Sequence, residues 1–415
     1  MRNMPVESEN TEVVIVGAGP TGLTAAVRLA QLGIPYVLLD ARAEPTSTSN
    51  AALVHAASLE LLAELGVGDA LVAAGRQIRR IAMMDGDRTL LRVPFGDLPT
   101  RYPFALGVPQ STTEALLLQQ LAEPAGTVRR RHRVHTVSAD GDAVTVTGTA
   151  GSPGEPAPFT IRARYLIGAD GSHSTIRTAL KLDFPGQTYP SQFVLADVAL
   201  TGAREADDEA TINMSAHGVT VIAQLPSGNH RIVATVDAGV KVPDRPDGAF
   251  VDALLRDRGI TARSAVEPVW SSAFRVHHRV AARFRIGRVF LAGDAAHIHS
   301  PAAGQGMNTG IADAYDLATR LAAVLAGQAG ESSLDAYDRG RRAVALEVLT
   351  FTDRLTRVAM MRHPVARFAR RAGTGTVGRL RPVQRRLAMW VTGLQRSPLR
   401  GDLPAVTPVK VRSAR

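Results

Sequence analysis

The sequence predicts an α/β protein: a doubly wound unit of strands and helices, an inserted mixed β-sheet, and a helical C-terminal segment. Three observations carry this. Residues 11–16 (Thr-Glu-Val-Val-Ile-Val) are a β-branched run, followed at once by Gly17-Ala18-Gly19-Pro20-Thr21-Gly22. Residues 181–280 turn into short β-rich runs separated by turn residues. Residues 289–292 (Val-Phe-Leu-Ala) form another apolar run, broken by Gly293-Asp294 and a glycine loop before helical spacing resumes.

A chain of 415 residues exceeds one ordinary domain, and 45% hydrophobic against 21% charged residues describes a globular protein with an ample core. The absence of cysteine excludes disulfides, thiolate metal sites and a redox dithiol. Residues 1–10 are polar and lack the apolar core of a signal peptide, and no run is long enough to span a membrane. The expectation is a cytoplasmic protein without stable membrane insertion. The net charge of +10 is uneven: residues 339–415 hold 18 Lys and Arg against 3 Asp and Glu. These cations are interspersed with Val, Leu, Met and Phe, which predicts solvated helix faces and no nucleic-acid partner.

In order along the chain, the strand at 11–16 runs into a G-x-G-x-x-G turn and a helix with Leu23, Ala26, Val27, Leu29 and Ala30 apolar, ending at Gly33. A second strand, 36–39, delivers Asp40 at a position 18 residues beyond Gly22, close to the ~20 of a Rossmann-type dinucleotide unit. Gly17 permits the tight turn, Gly19 lets a pyrophosphate approach, and Gly22 lets helix and strand pack. Asp40 would accept from a ribose, with Arg42 in reach of the same end. A helix at 57–65, a strand pair within 78–93 and a helix at 113–121 capped by Ser111 or Thr112 follow. Then come a hairpin around 140–142 and a strand at 159–167 that ends in Gly168-Ala169-Asp170-Gly171. His173 reads as a loop residue. Runs at 193–200, 211–214, 219–225 and 231–236 predict the inserted sheet. Beyond Asp294, Gly304 and Gly306 clear space before a helix from Met307, whose free N–H groups favour negative charge. Residues 310–328 and 334–372 read as helical, and the tail after Arg400 as loosely held. His297 and His299 stand two apart with nothing to complete a ligand set, so no metal is expected.

Three motifs thus stand in order: Gly17 to Gly22, Asp170-Gly171, and Gly293-Asp294 with its glycine loop. Together they resemble the group A FAD-dependent monooxygenases, the aromatic hydroxylases typified by 4-hydroxybenzoate hydroxylase, over roughly residues 11–395. The resemblance implies a Rossmann-type FAD-binding domain from residues 10–80, 106–180 and 281–330, and a substrate-binding β-sheet domain from 81–105 and 181–280. C-terminal helices at 331–400 and a tail at 401–415 complete it. It implies that Gly17, Ala18, Gly19, Pro20, Thr21 and Gly22 line FAD, the glycines against its pyrophosphate, with Asp40 and Arg42 at the adenosine ribose. Gln110 would contact the flavin side, and Asp170 both FAD and NAD(P)H. Gly293 and Asp294 would meet the ribityl chain, and Pro301, Gly304, Gly306, Met307 and Asn308 the isoalloxazine ring. Family members often carry arginine where this chain has Asn50 and Ala57.

The implied reaction is reduction of FAD by NAD(P)H, addition of O2 to give a C4a-hydroperoxyflavin, and hydroxylation of an aromatic or polyketide-like small molecule. The helix near Gly306 would hold the anionic reduced ring. Oxygen transfer needs no protein acid or base, so no catalytic residue is assigned. Substrate-wall candidates are Phe95, Tyr102, Phe104, Tyr189, Met214, Gln224 and Trp270. A flavin-dependent halogenase shares the fold, but its Trp-x-Trp-x-Ile-Pro signature is absent. An NAD-dependent dehydrogenase explains residues 17–22 and not 293–308. No pattern in the chain sets an oligomeric state.

Overall fold

The computed structural model describes residues 7–46, 51–121, 127–152, 154–202, 208–300, 304–359 and 380–409. It is an α/β protein built on two eight-stranded sheets. The first sheet has the strand Glu7–Val16 between Ala157–Gly168 and Tyr36–Leu39, parallel to both, and Val289–Leu291 extends it beside Ala157–Gly168. These strands are buried on both faces, with Val13, Val14 and Ile15 fully enclosed, which is why they read as continuous apolar runs. The register sets Val16 beside Gly168 and Leu39, and Gly168 beside Leu291. All the motifs therefore leave the sheet at one edge, the carboxyl ends of parallel strands, where ligands bind in open α/β sheets. The hairpin His132–Ala139 and Val144–Ala150 joins the amino-terminal half of Ala157–Gly168 in antiparallel fashion.

Two helices cover the face behind those motifs. Pro20–Gln31 starts with proline at its first turn, where a missing N–H costs nothing, and buries Leu23, Ala26, Val27 and Leu29. It packs on Gly306–Leu325, which is buried over most of its length. Arg28 ties the two together, Nε donating to Thr319 Oγ1 at 3.1 Å.

The second sheet holds Arg80–Asp85, Arg88–Pro94, Glu209–Ser215, Gly218–Gln224, His230–Val236, Gly186–Val198, Trp270–Val280 and His297–Ile298. It is mixed: Glu209–Ser215 pairs parallel with Arg80–Asp85, and the other pairs are antiparallel. Its edge strand His297–Ile298 comes from the Gly293-Asp294 motif itself and pairs Val280 with His297, so the motif stitches one sheet to the other.

Local expectations shift in several places. The helix expected at 113–121 runs Gln110–Gln119, and its cap is Pro109 with no side-chain bond, not Ser111 or Thr112. Strand Trp270–Val280 is an addition that apolar periodicity did not suggest, because Ser, Arg and His interrupt it, and helix Gly248–Asp257 is a second, carried by Val251, Leu254 and Leu255 at helical spacing. The helix expected from 334 starts at Ser332 and is described to Ala359; the remainder to 372 lies outside the described residues, and Arg381–Val391 forms a further helix. The tail is pinned in part: Val409 N donates to Leu32 O, and Gln328 and Thr407 exchange hydrogen bonds. No described helix is long and apolar enough to cross a membrane.

Candidate active site

The three motifs meet because their glycines remove the atoms that would keep them apart. Gly17 holds φ +104° against the backbone of Ala169 and Asp170, where a Cβ would overlap the Ala169 carbonyl. A Cβ on Gly22 would overlap the Gly17 carbonyl, and one on Gly293 or Gly310 the Thr21 hydroxyl. Gly19 differs: nothing lies within 4 Å of its missing Cβ, which leaves the turn open on the ligand side. Arg177 clasps the second and third motifs, Nη1 donating to Ala295 O at 2.9 Å and Nη2 to Ser172 O at 2.8 Å. Asp170 lines the cavity, and its carboxylate accepts from Ser174 Oγ (2.6 Å), Thr175 N (2.7 Å) and Ile176 N (3.2 Å). Its acceptors serve the Thr175–Ala179 helix start, and burial raises its carboxyl against those bonds. His173 is exposed.

At the far end, Asp40 accepts from Ala18 N at 2.9 Å and from Arg42 N at 2.8 Å, and pairs with Arg42 (2.9 Å) and Arg130 (3.3 Å). Burial pushes its carboxyl up, and Arg42 outweighs burial to hold it below the usual range. Gln110 donates to Glu114 Oε1 at 2.8 Å. Glu114 is buried, raised by that burial, and lies in the field of Arg42 and Arg130. Neither Glu114 nor Arg130 stood out in the sequence; three-dimensional adjacency to Asp40 is the only signal for them.

The third motif has a buried charge network behind it. Asp313 Oδ2 accepts from Gly293 N at 3.1 Å and from His297 Nε2 at 2.6 Å, while Oδ1 takes Arg341 Nε at 2.6 Å. Burial would raise Asp313, but Arg341 and His297 prevail and hold it below the usual carboxylate range. Arg341 also reaches Thr309 O (3.4 Å) and Arg396 O (3.3 Å). The network fixes the Gly293 turn, which aims Asp294 at the cavity. Asp294 keeps surface toward that opening although protein encloses it on the other sides; this enclosure pushes its carboxyl up, with His297 opposing. His297 is therefore committed to Asp313, and no cluster of three or more His, Asp or Glu able to hold a metal occurs among the described residues.

Gly304, Gly306 and Met307 line the cavity at the start of helix Gly306–Leu325. Asn308 does not line it. Its Oδ1 accepts from His55 N at 2.8 Å and its Nδ2 donates to Leu53 O and Gly304 O, so it staples the glycine loop to the neighbouring chain. Ala18, Gly22 and Gly293 likewise sit behind the lining, and Gly17, Pro20, Thr21, Asp40, Arg42 and Gln110 on it. Pro301 and Asn50 lie outside the described residues. Ala57 is buried, its N–H donating to Thr392 O at 3.1 Å, so the C-terminal segment docks there.

These surfaces enclose one cavity of about 1020 Å³. Beyond the glycine edge its wall is the inner face of the second sheet, with Ile81, Met83, Ala210, Ile212, Val221 and Val233 among the inward side chains. Ser272 and Phe274 come from the unforeseen strand, and Phe351, Leu387 and Val391 from the C-terminal helices. The expected wall is corrected here. Phe95, Tyr102, Phe104 and Met214 are packed in apolar clusters, Gln224 and Trp270 are off the lining, and Tyr189's side chain lies outside the described set. Large aromatics were chosen for size, whereas alternation along the strands places smaller aliphatics inward. Arg231 closes one end, paired with Asp197 and stacked over Trp270.

A cradle without Cβ atoms, an open Gly19, a helix start and carboxylates at two strand ends fit an extended dinucleotide such as FAD, and comparison with known proteins specifies which one. Residues 10–352 match the FAD binding domain family, and the chain belongs to it. It is an FAD-dependent monooxygenase of the aromatic-hydroxylase type. Among its relatives is 6-methylpretetramide 4-monooxygenase of Streptomyces rimosus, 35% identical over 92% of this chain and 68% of that protein. The solved structure of p-nitrophenol 4-monooxygenase PnpA from Pseudomonas putida DLL-E4 superposes with a TM-score of 0.83 at 26% identity, covering 94% and 98% of the two chains. The anhydrotetracycline hydroxylase OxyS from Streptomyces rimosus does so with 0.76 at 32% identity, covering 95% and 78%.

Proposed function

We propose that this chain hydroxylates a multi-ring aromatic or polyketide-like molecule, using NAD(P)H and O2, on FAD held across residues 10–80, 106–180 and 281–330. The single observation that carries this is the continuous cavity, which joins the glycine edge to a largely aliphatic face of the second sheet. Relatives named for 6-methylpretetramide, anhydrotetracycline and rifampicin support large ring systems on that face. Residues 81–105 and 181–280 then form the substrate side.

FAD held in that cavity would supply the redox chemistry, with NAD(P)H as reductant and O2 as the source of the oxygen atom inserted at an electron-rich carbon. The chain's own part is position and dryness. Gly17 and Gly19 leave room for the pyrophosphate, the Asp40 end takes the adenosine, and Asp294 accepts from ribityl hydroxyls. The free N–H groups of Gly306 and Met307 offer a positive helix end to charge on the ring. Ile81, Ile212, Val221 and Phe274 exclude water from the reacting face.

The test is direct. The purified protein should be yellow, its NADPH oxidation should rise when a phenolic polyketide is added, and the product should be heavier by one oxygen. A chloride-dependent product heavier by chlorine would instead make it a halogenase, and failure to retain or rebind FAD would defeat the reading. Gly19→Ala adds a methyl that meets no protein atom, so its melting temperature should match the parent's. The same methyl enters the pyrophosphate path, and FAD affinity should fall about tenfold or more by fluorescence titration.

A further inference from the structure

His299 lines the ring end of the cavity yet is used by nothing described above. It is 8% exposed, and its Nε2 has no hydrogen-bond partner among the described residues. It stacks on His297 with centroids 5.9 Å apart and planes 5° apart, and His297 is itself held by Asp313. Its Nδ1 faces Ser300 O at 3.5 Å. A carbonyl only accepts, so this contact suits the tautomer with its proton on Nδ1, which leaves Nε2 a lone pair. The Nε2–Cε1 edge faces the helix start, where a Cβ on Gly306 would stand 4.0 Å from Cε1. Ile298 and Gly306, its neighbours on the lining, carry no side-chain donor, and Arg396, whose charge reaches the ring, makes no hydrogen bond to Nε2. Burial, and then His297, push the imidazole down to about 3, which keeps it a neutral acceptor throughout the working pH range. A buried acceptor left unpaired is costly, so a site built this way is completed by its ligand.

We infer that His299 Nε2 is an acceptor for an N–H or O–H donor of the ligand at the ring end of the cavity. This inference rests on the FAD monooxygenase reading. Two groups carry such a donor there: the imide N–H of the flavin ring and a hydroxyl of the aromatic substrate. His299 would discriminate between ligands with and without that donor, as sites built around a buried polar group do. It positions and takes no proton.

Three proteins separate the sources: the parent, His299→Leu, and His299→Gln, whose amide oxygen can reach the place of Nε2. Each is reconstituted with FAD and with N3-methyl-FAD, followed by flavin fluorescence, and the holoprotein is titrated with 2-naphthol and 2-methoxynaphthalene, followed by perturbation of the flavin absorbance. If the substrate hydroxyl is the donor, the Leu variant binds FAD like the parent and loses a roughly five- to tenfold preference for the naphthol over its methyl ether. If the flavin imide is the donor, the Leu variant weakens for FAD by that factor, no longer distinguishes N3-methyl-FAD, and keeps the naphthol preference. In either case Gln restores the lost preference. A Leu variant that discriminates in both pairs as the parent does overturns the inference while the monooxygenase reading stands. A parent that binds no FAD overturns both.

Discussion

Asp294→Ala should yield a folded protein that elutes nearly colourless. The change removes a carboxylate that touches the cavity and has no hydrogen-bond partner among the described residues, so the turn held by Asp313 and Gly293 N survives. What is lost is the acceptor proposed for the ribityl hydroxyls. A hydrogen bond to a charged group contributes about 1.5–3 kcal/mol, and FAD affinity should drop about 10- to 150-fold. Isothermal titration of the apoprotein with FAD measures this, and circular dichroism checks the fold. Unchanged FAD affinity in a folded variant would remove Asp294 from the site.

Asp313→Asn should be strongly destabilising. It leaves the buried Arg341 without its hydrogen-bonded counter-ion, Asp316 acting on it only at longer range, and breaking such a buried pair costs about 3–5 kcal/mol. Urea unfolding monitored by tryptophan fluorescence should shift accordingly. The pH dependence has a defined sign. The folded carboxyl is held below its ordinary range, so the unfolded chain takes up the proton first as pH falls. The stabilisation is complete above the ordinary carboxylate range and is lost as pH drops through the depressed folded value. The Asn variant should lack that acid-side loss at this position, and parent and variant stabilities should converge at low pH. A parent-like urea midpoint at neutral pH would show the network to be dispensable.

Much of the site was legible because its chemistry is backbone chemistry. A dinucleotide cradle needs glycines at set intervals after a buried strand, and Gly17, Gly19, Gly22 and Gly293 announce that in one dimension. The substrate wall was not legible for the opposite reason. Any apolar residue of a half-buried strand looks alike in sequence, and the inward set, Ile81, Ile212, Val221 and Val233, is selected by register and twist. Strand Trp270–Val280 was hidden because it faces a cavity, where Ser272, Arg275 and His277 cost no burial penalty and break the apolar pattern.

By itself the sequence determined the class of fold, the order of its motifs and the kind of ligand they suit, since these follow from local spacing and glycine's missing Cβ. Only the tertiary structure decided that Asp313, Arg341 and His297, spread over 45 positions, share one buried network, and that Asn308 serves the loop and not the lining. It also decided that His299 Nε2 is left without a hydrogen-bond partner among the described residues. Charge pairing and hydrogen-bond satisfaction depend on distance in space, and no pattern along the chain encodes that distance.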